Sequence, residues 1–128
     1  EVFHFIDALF QGNTERALRL LYDQRNSGAS EQEVFGALVW QMRTLLEIKD
    51  FMVRNPHASS ADFVRALGTH PFVIKKTSAF CSRVSMKFLS DLHAYLLRVD
   101  KDIKTGVRGA SFAFDQMVFD VTRLIQMR

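Results

Sequence analysis

Apolar residues recur at helical spacing along the whole chain, and no stretch of useful length alternates as a half-buried strand would. The pattern opens between Val2 and Gln11, where Val2, Ile6 and Leu9 share one stripe and Phe3 and Phe10 lie beside it. Gly12-Asn13 ends this segment, and Asn13 or Thr14 can cap the next by accepting a bond from its first free N–H groups. The second helix carries Ala17, Leu18 and Leu21 and stops near Ser27-Gly28. A connection this short predicts an antiparallel helical pair.

Ser30-Glu31-Gln32-Glu33 reads as a capping box, with Ser30 bonding forward and Glu33 reaching back. The helix it opens is predicted to reach Arg54. Two neighbouring rows are apolar: Val34, Leu38, Leu45, Ile48 and Met52, and Phe35, Val39, Met42, Leu46 and Val53. A stripe that wide implies burial against several partners and places this helix at the centre of the domain. A third row holds Gly36, Trp40, Arg43, Glu47, Asp50 and Arg54. It is polar except for Trp40, which either meets another molecule beside Arg43 or is covered by a neighbouring helix.

Asn55-Pro56-His57-Ala58 breaks the chain, and Ser59 or Ser60 then caps a short helix over Ala61 to Leu67 that Gly68 ends. His70-Pro71 starts the next helix, with proline in the first turn where its missing N–H costs nothing. That helix carries Phe72, Val73, Ile74, Phe80 and Cys81. Ser85 caps a long helix through Lys104 with Leu89, Leu92, Leu96, Val99 and Ile103 in its core row, and Gly106 closes it. A loop around Gly109 leads to a last helix with Phe114, Val118, Val121 and Ile125 on one face. The expected fold is all-α, a bundle of about six or seven helices forming one domain over residues 1–128.

Composition narrows the function classes. The chain has 128 residues, 48% of them hydrophobic and 24% charged, which suits one globular domain. Twelve phenylalanines against two tyrosines and one tryptophan indicate a dense core or a buried interface. The formal charge of +3 is only mildly basic, and the basic residues read as scattered among acids over a mixed surface. One cysteine, Cys81, excludes a disulfide framework within the chain. No apolar run approaches the roughly 20 residues needed to span a bilayer, so no membrane is expected. The chain begins at Glu1 and enters a helical pattern at once, which reads as a fragment of a longer protein.

No catalytic motif survives inspection, and neither enzyme activity nor a cofactor is expected. No glycine is followed by the Lys-Ser or Lys-Thr of a phosphate loop. His4, His57, His70 and His93 lie far apart, without metal-ligand spacing. Asp100 and Lys104 share a helix face four residues apart, in the favourable order of acid before base, with the lysine at the negative end of the helix dipole. That pair alone explains a slightly stabilised helix; it acquires function only if Lys104 reaches another chain. A rival reading concerns Ala61 to Ser78, which has the outline of a helix-turn-helix, with Gly68 in the turn. Nucleic-acid contact would then fall to Lys75, Lys76, Arg83 and Lys87. Phe72, Val73 and Ile74 occupy the front of the second helix, where a groove reader needs polar side chains, so a packed helical hairpin is the favoured reading.

Four segments, in order, resemble the C-terminal domain of the delta subunit of bacterial DNA polymerase III. These are Asp7 to Asn13 with Ala17-Leu18; Trp40-Gln41-Met42-Arg43 with Leu45-Leu46 and Lys49; Leu67-Gly68 with Pro71-Phe72-Val73 and Lys76; and Ser85, Leu89, Leu92 and Asp100 with Lys104-Thr105-Gly106. The similarity covers essentially the whole chain. Ser30-Glu31-Gln32 replaces the family's acidic-Pro start to the central helix, and the loop Val107 to Ala110 is this chain's own. The resemblance implies a bacterial, cytoplasmic clamp-loader subunit whose helical domain packs into a five-subunit collar. It implies delta-prime and gamma/tau subunits as partners, DNA in the parent complex, and no working ATPase site in the subunit. Trp40, Arg43, Asp100 and Lys104 are the positions expected to face a partner.

Overall fold

The computed structural model describes residues 2–128, with side chains from Phe3 onward; the stripe assignment of Val2 lies outside the described side chains. Seven helices form, and among the described residues there is no strand. They are α1 (Val2–Phe10), α2 (Thr14–Asn26), α3 (Glu31–Arg54), α4 (Ser60–Leu67), α5 (Pro71–Arg83), α6 (Met86–Lys104) and α7 (Ala110–Met127). The all-helical expectation is met, and most predicted boundaries fall within a residue or two. Packing divides the chain into two compact units, residues 1–39 with 94–128, and Trp40–His93. The chain passes between them along α3 and α6.

In the first unit α1 packs on α2 and on α7, and α2 packs on α7. Its core is aromatic at the centre. The Phe114 ring meets Phe35 edge-on, with centroids 5.4 Å apart, and Phe5 at 6.3 Å in a tilted arrangement. Such geometries let the positive ring edge face the negative ring face. Ile6, Leu9, Leu21, Leu38, Leu96, Val118, Val121 and Ile125 are buried in the same unit, so the core face predicted for α7 is the one observed. Thr122 is buried as well. It donates to the Val118 carbonyl at 2.8 Å and accepts from the Thr14 hydroxyl at 2.7 Å, which satisfies it and joins α2 to α7.

The turn between α1 and α2 depends on Gly12. Its φ is +73°, and the N–H groups of Gly12 and Asn13 return to the carbonyls of Leu9 and Ala8, a Schellman closure. A methyl group added there would meet Ile125 Cγ2 at 3.2 Å, and Gln126 donates to the Gly12 carbonyl at 2.8 Å. Asn13 then caps α2 by accepting from the Arg16 N–H, as expected.

The capping box predicted at Ser30 forms by half. Ser30 Oγ accepts from the N–H groups of Gln32 and Glu33, but the exposed Glu33 side chain returns no bond. The carboxylate that matters is two residues earlier. Glu31 accepts from the Arg25 guanidinium at 2.8 and 3.0 Å and from the Ser111 hydroxyl at 3.2 Å. Arg25 also pairs with Asp115 at 2.9 Å and donates to the Ser111 carbonyl at 3.0 Å. One guanidinium fork therefore ties the end of α2 to the starts of α3 and α7. Its pKa rises further above the ordinary arginine value because the hydrogen bonds to Glu31 and Asp115 outweigh the opposing cost of burial.

In the second unit α4 and α5 form the expected helical hairpin. A full capping box opens α4: Ser59 Oγ accepts from the Asp62 N–H at 3.2 Å, and the Asp62 carboxylate accepts from the Ser59 N–H at 2.9 Å. These bonds hold the exposed Asp62 carboxyl below its ordinary pKa. Gly68 ends α4, and His70 Nδ1 accepts from the Phe72 N–H ahead of Pro71 at the first turn of α5. The hairpin joins α3 through Phe63, whose ring meets Phe51 edge-on at 4.8 Å, and through Cys81, whose thiol lies 3.4 Å from the Leu45 carbonyl. Lys49 Nζ donates to the Cys81 carbonyl at 2.9 Å, near the carbonyl-rich end of α5. Burial pushes the Cys81 thiol up to about 11, so it is a core thiol and not a nucleophile at neutral pH.

Candidate functional site

The third row of α3 faces solvent. Trp40 is 51% exposed, and Arg43, Glu47, Asp50 and Arg54 are all exposed. At the far end Arg54 is committed to Asp50, with contacts of 2.8 and 3.0 Å. Among the described residues Arg43 finds no ion-pair partner, so a half-open indole stands one helical turn from an uncompensated guanidinium. Tryptophan and arginine are the side chains that supply most binding energy when a partner buries them. No neighbouring helix covers this indole, the other outcome left open by the sequence.

Asp100 and Lys104 meet as the spacing predicts, Nζ to Oδ2 at 2.9 Å, within the first unit. The lysine is largely exposed, so the pair contributes roughly 0–1 kcal/mol. The following residues explain Lys104-Thr105-Gly106 structurally. Gly106 has a φ of +76°, its N–H returns to the Ile103 carbonyl, and the Val107 N–H returns to that of Asp102. The Thr105 hydroxyl donates to the Lys101 carbonyl at 2.7 Å. The tripeptide is thus a helix stop that carries an exposed cation. The structure places Trp40 and Arg43 on one unit and Asp100 with Lys104 on the other.

The cations of the rival reading, Lys75, Lys76, Arg83 and Lys87, all lie exposed on the second unit. Most are engaged within the chain. Lys76 stands over the Phe72 ring at 5.9 Å, Arg83 over the Phe80 ring at 6.0 Å, and Lys87 pairs with Asp91 at 2.9 Å. Among the described residues Lys75 alone of the four has no partner. Phe72 departs from its expected packing role. It is 64% exposed, because Ile74 takes the buried side of α5 and a position two residues earlier points away from it.

Two features escaped the sequence reading. The expected scatter of charge fails locally: from Phe63 through Ser90 there is no aspartate or glutamate, while Arg65, Lys75, Lys76, Arg83 and Lys87 fall inside that stretch. The whole-chain balance hides this run; a sliding count of acids would have exposed it. On α7, Phe112, Phe119 and Met127 are 66%, 48% and 73% exposed. Phe112 and Phe119, seven residues apart, line a face opposed to the buried row, so α7 is apolar on two sides. That two-sided pattern was the available signal. Among the described residues no three His, Cys, Asp or Glu side chains converge as a metal site would require, and no helix is long and apolar enough to cross a membrane.

Residues 1–121 match the family described as DNA polymerase III delta subunit, C-terminal domain, and the chain belongs to that family. The solved DNA clamp loader delta protein of Bacillus subtilis has the same fold, with a TM-score of 0.82 at 18% identity. The likeness covers 95% of this chain and 35% of that protein, so the chain spans about a third of its relative's length. A comparison with curated proteins gave no match.

Proposed function

We propose that this chain acts, over residues 1–128, as the helical assembly domain of a clamp-loader delta subunit. Its outward apolar rows pack against the helical domains of delta-prime and gamma/tau subunits in a collar that supports loading of the sliding clamp on DNA. Membership of the delta C-terminal family over residues 1–121 carries this reading. The exposed aromatics Trp40, Phe112 and Phe119 support it, since a small helical bundle does not need them for its own core. In the complex, burial of the Trp40 indole and pairing of Arg43 supply affinity, and Lys104 presents its charge at the rim.

The test is light scattering on a sizing column, with the chain alone and mixed with the same organism's delta-prime and gamma/tau subunits. A stoichiometric complex that persists at high salt is expected. Trp40→Ala lowers its affinity by about tenfold or more, in the range of an aromatic hot spot. It leaves the helical circular dichroism unchanged, because half the indole is already in water. Absence of any complex overturns the collar reading. Binding of DNA that collapses steeply with salt would instead favour phosphate contact through Lys75, Lys76, Arg83 and Lys87.

A further inference from the structure

The second unit contains a cleft that the collar reading does not use. It lies where the end of α3, the loop after it, α4 and α5 come together, and it encloses about 360 Å³. That volume falls within the roughly 300–1,000 Å³ of ordinary ligand sites. Met52, Pro56, Phe63 and Ile74 supply apolar walls, and Lys75 stands at the lining. The other polar lining groups are largely spent. Asn55 Nδ2 donates to the Phe51 carbonyl at 3.0 Å, and the Ser78 hydroxyl donates to the Ile74 carbonyl at 2.5 Å. The recognition chemistry left open is therefore an apolar hollow beside one uncommitted ammonium.

We propose that this cleft docks a short acidic and apolar segment of another protein. An apolar side chain enters against Phe63 and Ile74, and a neighbouring carboxylate pairs with Lys75 Nζ. Charge complementarity selects the sign. No carboxylate lines the cleft, and the one acid of the hairpin, Asp62, is paired with Arg65, while Lys75, Lys76 and Arg83 stand on α5, so an anionic segment meets a net positive surface. A polynucleotide fits less well. It needs a track of available cations, whereas Lys76 and Arg83 lie over aromatic rings and Lys87 is paired with Asp91. One ammonium beside an aliphatic wall matches one carboxylate beside one apolar side chain.

Fluorescence anisotropy on the 128-residue chain tests this. The probes are a short labelled peptide of alternating aspartate and leucine, the same peptide with asparagine for aspartate, and a labelled oligothymidine. The aspartate peptide is expected to bind, and the asparagine peptide to bind about tenfold more weakly, as loss of a charge-assisted contact predicts. Lys75→Gln should impose the same tenfold loss on the aspartate peptide. Lys75→Glu should reverse the preference toward a lysine-leucine peptide. Lys75 is exposed, so both variants keep the wild-type circular dichroism and loss of binding is not loss of fold. The proposal is overturned if the aspartate peptide does not bind, if the asparagine peptide binds equally well, or if Lys75→Gln has no effect. It is also overturned if oligothymidine binds through Lys75 and the peptide does not.

Discussion

The two compact units use charge in opposite ways. Trp40–His93 carries eight lysines and arginines against four aspartates and glutamates, whereas the remaining residues carry nine against ten. The first unit is thus near neutral and the second is basic, so the second supplies all of the net positive charge. The pairing differs too. Arg25 joins separate helices through Glu31 and Asp115. In the second unit Asp50 with Arg54, Asp62 with Arg65 and Lys87 with Asp91 each pair within one helix. Exposed pairs of that local kind add only a few tenths of a kcal/mol. In the first unit one guanidinium, Arg25, therefore ties three helices together, whereas these local pairs of the second unit hold no helix to another.

Substitutions can break or sharpen that contrast. The largest effect belongs to Phe114→Ala, which removes the ring shared by Phe5 and Phe35 and should cost about 3–5 kcal/mol in urea unfolding. A loss under about 1 kcal/mol would show that the aromatic cluster is not the centre of the first unit. Next come the two glycine stops. Gly12→Ala forces a left-handed alanine and a contact with Ile125, and should cost about 2 kcal/mol or more. Gly106→Ala has the same backbone strain but nothing within 4 Å of the added methyl, and should cost about 1 kcal/mol. Equal losses would mean that backbone strain alone decides both.

Arg25→Met should then cost about 1–3 kcal/mol, because it leaves Glu31 and Asp115 partly buried without their cation. Lys87→Gln on the second unit should stay within about 0.5 kcal/mol. Similar thermal shifts for the two would erase the proposed division of labour. The smallest effect is on Cys81. Its folded pKa is raised, so the stability linked to the buried thiol is full below pH 9.0 and is lost as pH rises through about 11. Alkylation of the native chain by iodoacetamide at neutral pH should be negligible and should become rapid on unfolding. Rapid labelling of the folded chain would contradict the buried placement.

Helix ends were legible because their codes are local. Gly12, Gly68 and Gly106 each stand where a chain must turn left-handed, and His70-Pro71 can open a helix but not continue one. Packing rows were legible where the period was clean, as in Phe114, Val118, Val121 and Ile125. The capping boxes show the limit of such codes. Ser30 and Glu33 have the right spacing, yet Glu33 stays in solvent while Glu31 binds Arg25 and Ser111. The complete box formed instead with Asp62, where the sequence reading had named only a serine.

Hydrophobic period, breakers and caps by themselves determined that this chain is all-helical and where most of its helices begin and end. Those signals depend on residues within one or two turns of each other. Only the tertiary structure decided that Trp40 and Phe72 face water, that Lys75 borders a cleft, and that Arg25 meets a carboxylate ninety positions away. The reason is physical: a side chain's exposure and partners depend on which other helix covers it, and pairing at that distance leaves no local trace in the chain.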